Sequence, residues 1–290
     1  MPLSNLFLKQ QKNKLIIFGG MQAVKSAGIL LETAVLESVP LNRNVQVDFY
    51  LPTWVEDPSS LSLLLINDGQ DLQALGLLPI LDDLYAGGHI SPVLCAGIHT
   101  CAERKMEYGV ATVADYQGWG AKASEYTEFV ITELIPYILD KYKVSGFAGK
   151  AFAGFSLGAL SALDIVWNHP DEFTGAGLFS GSFWWRIKDQ TDPAYNDDTD
   201  RIMHRQIQEG EYRPGLKFFF ECGEEDEVED RNGNGIIDSI DDTQDLITEL
   251  VKKGYDLQKD IRYLEIPDGR HEVATWARAM PEFLKWGWGK

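Results

Sequence analysis

The sequence predicts an α/β fold: one mostly parallel central sheet with helices on both faces and no separate cap domain. Two observations predict it. Short, nearly continuous apolar runs recur at 61–66 (LSLLLI), 93–98 (VLCAGI), 151–155 (AFAGF), 175–179 (GAGLF) and 216–221 (LKFFFE). Strands buried on both faces of a parallel sheet read this way. Between these runs lie segments whose apolar residues fall three and four apart, so strand and helix alternate and build βα units on one doubly wound sheet.

Taken in order, the first 25 residues lack periodicity and are expected to form a tail or a marginal element. A single domain is expected over 26–290, since no repeat or low-complexity linker divides it. Residues 45–51 (VQVDFYL) alternate with period two and stop at Pro52, which predicts an early antiparallel strand. At 123–142, Tyr126, Phe129, Val130, Leu134, Tyr137 and Ile138 mark an amphipathic helix, bent or divided at Pro136. Helices are also read at 157–168, 243–253 and 272–284, the last containing Pro281. In open parallel sheets, function sits at the carboxyl ends of the strands.

Composition narrows the function. The 290 residues carry a net charge of −18, which repels nucleic-acid backbones and anionic lipid alike. No apolar run approaches membrane-spanning length. The uninterrupted apolar run at 15–18 is too short for a secretory core, so a cytoplasmic protein acting on a small molecule is expected. Three cysteines are too few and too scattered for a disulfide framework or a zinc site.

Gly154-Phe155-Ser156-Leu157-Gly158 is a G-x-S-x-G pentapeptide between an expected strand and an expected helix. That context suits a nucleophilic serine on a strained strand-to-helix turn, with small flanking residues that let the turn close. It also sets Ser156 at a helix N-terminus, where backbone amides face a developing oxyanion. A base is needed, and His271 follows the last expected strand, 261–266 (IRYLEI). Among the other histidines, only His99, which also ends a strand, is a serious rival. The acid is expected after 216–221, where Asp226 lies three residues past Gly223; Glu225 is an alternative, and a merely solvated acidic run competes with both. The order Ser156, Asp226, His271 is that of α/β-hydrolases. A second oxyanion amide is expected from Gln70, after Asn67-Asp68-Gly69, beside that of Leu157.

The chain resembles the esterase family that includes enterochelin esterases, feruloyl esterases and mycolyltransferases. The likeness rests on LLLINDGQD at 63–71, RKMEY at 104–108, GWGAKASEYTEFVITELIPYI at 118–138, AGFSLGALSAL at 153–163, HPDEFTGAGLFSGSFWW at 169–185 and PDGRHEVATWARAMPEFLKW at 267–286. It implies a serine esterase with the triad above and Arg104, Tyr108, Trp184 and Trp185 near the substrate; no organic cofactor is expected, since no phosphate-cradling glycine loop follows the strands. Ala159 stands where the family commonly carries a second glycine, and an acidic insertion separates the acid and histidine segments.

That insertion fits a calcium-loop template. Asp230, Asn232, Asn234, Ile236 (through its carbonyl), Asp238 and Asp241 occupy the ligand positions around Gly235, with Asp rather than Glu in the last. A structural calcium ion is expected there, competing with a plain Asx-rich turn. Acyl transfer on the same scaffold, or a non-catalytic binding protein, are the alternatives to hydrolysis. Neither the particular ester nor the oligomeric state is readable.

Overall fold

The computed structural model describes residues 24–25 and 28–290. The element expected at 1–25 lies outside the described residues apart from a two-residue strand, β1 (Val24–Lys25). The remaining strands are β2 (Ile29–Ser38), β3 (Arg43–Pro52), β4 (Ser62–Asn67), β5 (Val93–Ile98), β6 (Lys150–Phe155), β7 (Gly175–Phe179), β8 (Lys217–Glu225) and β9 (Ile261–Arg270). All join one sheet in the order β1-β2-β3-β5-β4-β6-β7-β8-β9. The first three run antiparallel to their neighbours, and β4 to β9 are mutually parallel.

The expected mostly parallel sheet is therefore present, and the strand read at 45–51 is β3, antiparallel to β2 and β5. Sequence reading missed β2. Its segment ILLETAVLES carries glutamates inside an alternating pattern, and Glu32 is buried where Tyr142 and Lys141 meet its carboxylate.

The principal helices are α1 (Leu77–Ala86), α2 (123–142), α3 (Leu157–Asn168), α4 (Ile202–Glu209), α5 (Asp238–Lys253) and α6 (Val273–Trp288). Helix α2, expected to bend or divide at Pro136, runs through that residue as three abutting helical segments. It widens into a π turn over Phe129–Leu134 just before the proline, which has no N–H to give and whose ring crowds the preceding turn.

Every residue of β4 and β5 is buried, because helices cover both faces. Leu63, Leu65, Phe152 and Phe220 pack with residues of α2, α3 and α5. Leu64, Ile66, Ala153 and Phe219 pack with residues of α1 and α6 on the opposite face. No described helix is long and apolar enough to cross a membrane.

The strand order sets the place of the site. From β4 the chain moves to β5 on one side, then returns past β4 to β6 on the other. Such a reversal opens a crevice at the carboxyl ends of the strands. The loops after β4 and β6 meet there.

Candidate active site

Ser156 follows β6 directly and opens α3, with φ 55° and ψ −123°. That backbone is strained for any residue with a Cβ, at a cost of roughly 1–3 kcal/mol. The turn holds because its neighbours leave no alternative. Ser156 N–H donates to the Phe179 carbonyl at 2.9 Å, and Ser182 N–H donates to the Ser156 carbonyl at 3.1 Å. A Cβ on Gly154 would collide with the Gly158 carbonyl, and one on Gly158 would lie 2.8 Å from Asp68 Oδ2. Both flanking glycines are thus required by close approach. Ser156 Oγ lies 3.3 Å from Ser182 Oγ. Leu157 contributes the first N–H of α3, which helix geometry leaves without an internal acceptor.

The loop after β4 is tied onto this turn. Asn67 Nδ2 donates to the Gly158 carbonyl at 2.7 Å, while Asn67 Oδ1 accepts from the Tyr126 hydroxyl at 2.6 Å. Asp68 sits in the left-handed region (φ 58°), and its N–H donates to the Tyr108 hydroxyl at 3.2 Å. Gly69 packs so closely on the Gly97 backbone that no Cβ fits. The following residue, Gln70, accepts from Thr100 N–H at 3.1 Å through its side chain.

Arg104 closes a bidentate pair on Asp68, with Nε and Nη2 each 2.7 Å from a carboxylate oxygen. Nη2 also reaches the Phe155 carbonyl at 3.3 Å, one residue before Ser156. Asp68 is only 2% exposed, so removing the guanidinium would strand a buried charge, at a cost of about 3–5 kcal/mol.

Asp226 and His271 stand beyond the ends of β8 and β9, where two glycines allow the strands to close up. A Cβ on Gly223 would strike the Gly269 carbonyl and lie 2.6 Å from Asp226 Oδ1. Burial raises the Asp226 carboxyl pKa, against the pull of the Ser180 hydroxyl, the Gly223 backbone and the His271 charge. His271 is exposed to solvent and packs nearly perpendicular to Trp276, ring centroids 5.5 Å apart at 83°. Partial burial lowers its pKa most and the Arg104 charge lowers it further, while Asp226 opposes both. The three groups share one electrostatic neighbourhood, although no hydrogen bond joins Asp226 to His271 or His271 to Ser156 in this state. Glu225, the alternative acid, is exposed and pairs with Arg270 at 3.1 Å.

The rival histidine, His99, is occupied by Asp48 at 2.7 Å. His204 is fully buried on the Asp242 carbonyl, and burial pushes its pKa down to about 3.

Two expected pocket residues are corrected. Tyr108 and Trp185 are each 0% exposed and belong to the core. Tyr108 supports the Asp68 turn, and Trp185 is packed against Gly109 and Gly120. Trp184 is half-buried and Arg104 is 30% exposed in its side chain. Sequence reasoning missed Ser182 and Ser180, whose roles arise from where β7 ends. It also missed Trp276, which stacks on Phe155 (4.9 Å) and donates Nε1–H to Ser180 Oγ at 2.9 Å.

In the 230–241 loop, the Asp230 carboxylate accepts from the N–H groups of Gly233 (2.8 Å), Asn234 (3.1 Å) and Gly235 (2.9 Å). Asn232 and Asn234 turn their side-chain amides onto the Asp241 carboxylate at 2.6 and 3.2 Å. Gly235 has φ 85°, and Ile236 N–H donates to Asn234 Oδ1 at 2.8 Å. Asp238 departs from the template, because Arg231 holds its carboxylate through the backbone N–H (2.9 Å) and the guanidinium (3.2 Å). Among the described residues, no three His, Cys, Asp or Glu side chains gather as a metal-binding group, so a cation here would depend on amide and carbonyl oxygens as well.

A family model described as "Putative esterase" matches residues 38–286. No curated protein sequence matches the chain. Among solved structures, the enterochelin esterase from Shigella flexneri superposes with TM-score 0.67 at 19% identity, covering 88% of this chain and 57% of that one. This chain therefore spans little more than half the length of that protein. A ferulic acid esterase superposes with TM-score 0.65 at 19% identity, covering 89% and 97%. An IroE-like serine hydrolase from Shewanella oneidensis gives TM-score 0.63 at 17% identity, covering 89% and 79%. At these identities the structural likenesses carry the fold.

Proposed function

The chain belongs to the esterase family whose model spans residues 38–286, and on that premise we propose that it hydrolyses carboxylic esters through an acyl-enzyme on Ser156. The observation that carries this reading is the strained Ser156 turn at the point where strand order reverses. In the proposed reaction His271 takes the Ser156 proton as Oγ attacks the ester carbonyl carbon. The negative charge moves onto the carbonyl oxygen, where the N–H groups of Leu157 and Gln70 receive it. The bond to the alcohol oxygen then breaks, and His271 returns its proton to the leaving alcohol. Water repeats the sequence on the acyl-enzyme and releases the acid. Asp226 orients the imidazole and stabilises its charged form.

The lowered pKa of His271 suits this role, since the imidazole is neutral and ready to accept a proton at neutral pH. For the oxyanion site to form, Asp68 must hold its left-handed conformation, and Arg104, Tyr108 and Asn67 fix it there. Hydrolysis of p-nitrophenyl butyrate tests the reading. It is expected in the wild-type protein and lost in folded Ser156→Ala and His271→Ala variants; undiminished turnover in Ser156→Ala would sink it. A panel containing a siderophore lactone and a feruloyl ester identifies the substrate, since the neighbours are named for such esters.

We also propose that the 230–241 loop holds a calcium ion through Asp230, Asn232, Asn234, the Ile236 carbonyl and Asp241. The convergence of both asparagine side chains on Asp241, in a turn that the Asp230 carboxylate organises, supports this. The commitment of Asp238 to Arg231 leaves it at most an indirect part. The ion would neutralise charge in a segment where eleven of the 44 acidic residues lie between Glu221 and Asp245, steadying the chain that follows Asp226.

A further inference from the structure

Glu221 is an anomaly of β8. It is 1% exposed, and neither of its carboxylate oxygens meets a hydrogen-bond partner. Both oxygens of Asp226 are buried as well and close no hydrogen bond, although the Ser180 hydroxyl and the Gly223 backbone lie near enough to favour the charged carboxylate. Two buried carboxyl groups at the end of one strand, neither closing a hydrogen bond, ask for one explanation, since each orphan would cost about 1–3 kcal/mol or more.

Strand geometry brings the two together. Side chains two apart share a face, so Glu221 and Gly223 point the same way, toward α6, as Phe219 does against Phe283. Gly223 has no side chain, and Asp226 Oδ1 occupies the space over it, 2.6 Å from where a Cβ would stand. Asp226 is folded back by its own N–H on the Gly223 carbonyl at 3.2 Å. Its carboxylate thus lies one pleat, roughly 6–7 Å along the strand, beyond the root of a glutamate long enough to reach it.

We propose that Glu221 is a positioning residue for Asp226, its protonated carboxyl donating to one Asp226 oxygen and leaving the other for His271. The inference rests on the reading of Asp226 as the triad acid. Burial, and then the Asp226 charge, push the Glu221 carboxyl up to about 8. Working in the opposite direction on Glu221 are the Ser180 backbone N–H and then Arg278 of α6, itself held by Asp268 at 3.0 Å, while the Ser180 hydroxyl and His271 face Asp226.

Two variants test it. Glu221→Leu removes the donor, and kcat is expected to fall on the order of 10-fold with KM unchanged and the acid limb of the pH profile displaced. Glu221→Gln restores an N–H donor and is expected to recover kcat to within about 3-fold of wild type. A second readout needs no activity. A carboxyl whose pKa is higher folded than unfolded stabilises the fold fully below its ordinary value of about 4.3, and that contribution is lost as pH rises through about 8. The wild-type Tm should therefore fall relative to that of Glu221→Gln between pH 5 and 9. Parallel Tm curves, or a Gln variant no better than Leu, would overturn the proposal. Ser156→Ala measured alongside reports on the nucleophile alone. Activity surviving in that variant while the Tm curves diverge refutes the catalytic reading and leaves the shared proton standing.

Discussion

The indole of Trp276 meets the imidazole of His271 nearly at right angles, ring centroids 5.5 Å apart and planes at 83°. The same ring stacks on Phe155 before the nucleophile and donates its N–H to Ser180, the hydroxyl beside Asp226. One side chain of α6 therefore touches the supports of all three proposed catalytic groups. Replacing it tests whether that contact matters. In Trp276→Phe the stacking surface largely remains but the hydrogen bond to buried Ser180 is lost, at about 1–3 kcal/mol. A lower Tm together with a several-fold lower kcat is expected, measured by thermal unfolding and p-nitrophenyl butyrate turnover. An unchanged kcat would mean that Trp276 is packing alone.

The pH profile follows from His271. Activity needs the neutral imidazole, so kcat/KM falls as pH drops through its pKa. Partial burial and the Arg104 charge place that pKa below the ordinary value of about 6.5. The acid limb is accordingly expected below 6.5. Asp226→Asn removes the charge that favours the imidazolium, so it should push the limb lower still while cutting kcat by about 10⁴-fold. A limb above 7 in the wild-type protein would contradict the electrostatic picture.

The elbow tolerates no Cβ at Gly154, where it would meet the Gly158 carbonyl. Backbone cannot rotate away as a flexible side chain can. Gly154→Ala should therefore cost several kcal/mol and abolish esterase activity, seen as a large fall in the denaturation midpoint. A stable, active Gly154→Ala protein would show that the turn is looser than described.

Calcium should raise the Tm of the wild-type protein where magnesium does not, because the loop offers several flexible oxygens rather than a tight octahedron. The effect is expected to vanish in Asp230→Ala, whose carboxylate organises three backbone amides. Identical melting curves in calcium and in chelator would rule the ion out.

Much of this architecture is legible in the sequence because parallel strands buried on both faces leave long apolar runs, and because G-x-S-x-G demands a backbone that few other turns share. Residues 93–98, 157–168 and 175–179 are read with the bounds they have in the fold. Strand β2 escapes because its buried Glu32 reads as a surface acid, while the groups that meet its carboxylate, Lys141 and Tyr142, come from α2, far along the chain. The family resemblance implies that Tyr108 and Trp185 lie near the substrate, yet both are wholly buried, and an aromatic side chain reads the same in either place. Glu221 is the sharpest case. In the sequence it is one more acid in an acidic stretch, and only the bare face of Gly223 reveals what stands above it.

The central claim is a covalent intermediate on Ser156, and a fluorophosphonate probe reads it directly. Digestion and mass analysis of the labelled protein should find one adduct, on the peptide carrying Ser156, with labelling abolished in Ser156→Ala and slowed in His271→Ala. An active wild-type protein that takes up no probe at Ser156, or a Ser156→Ala protein that labels and hydrolyses as before, would contradict the account.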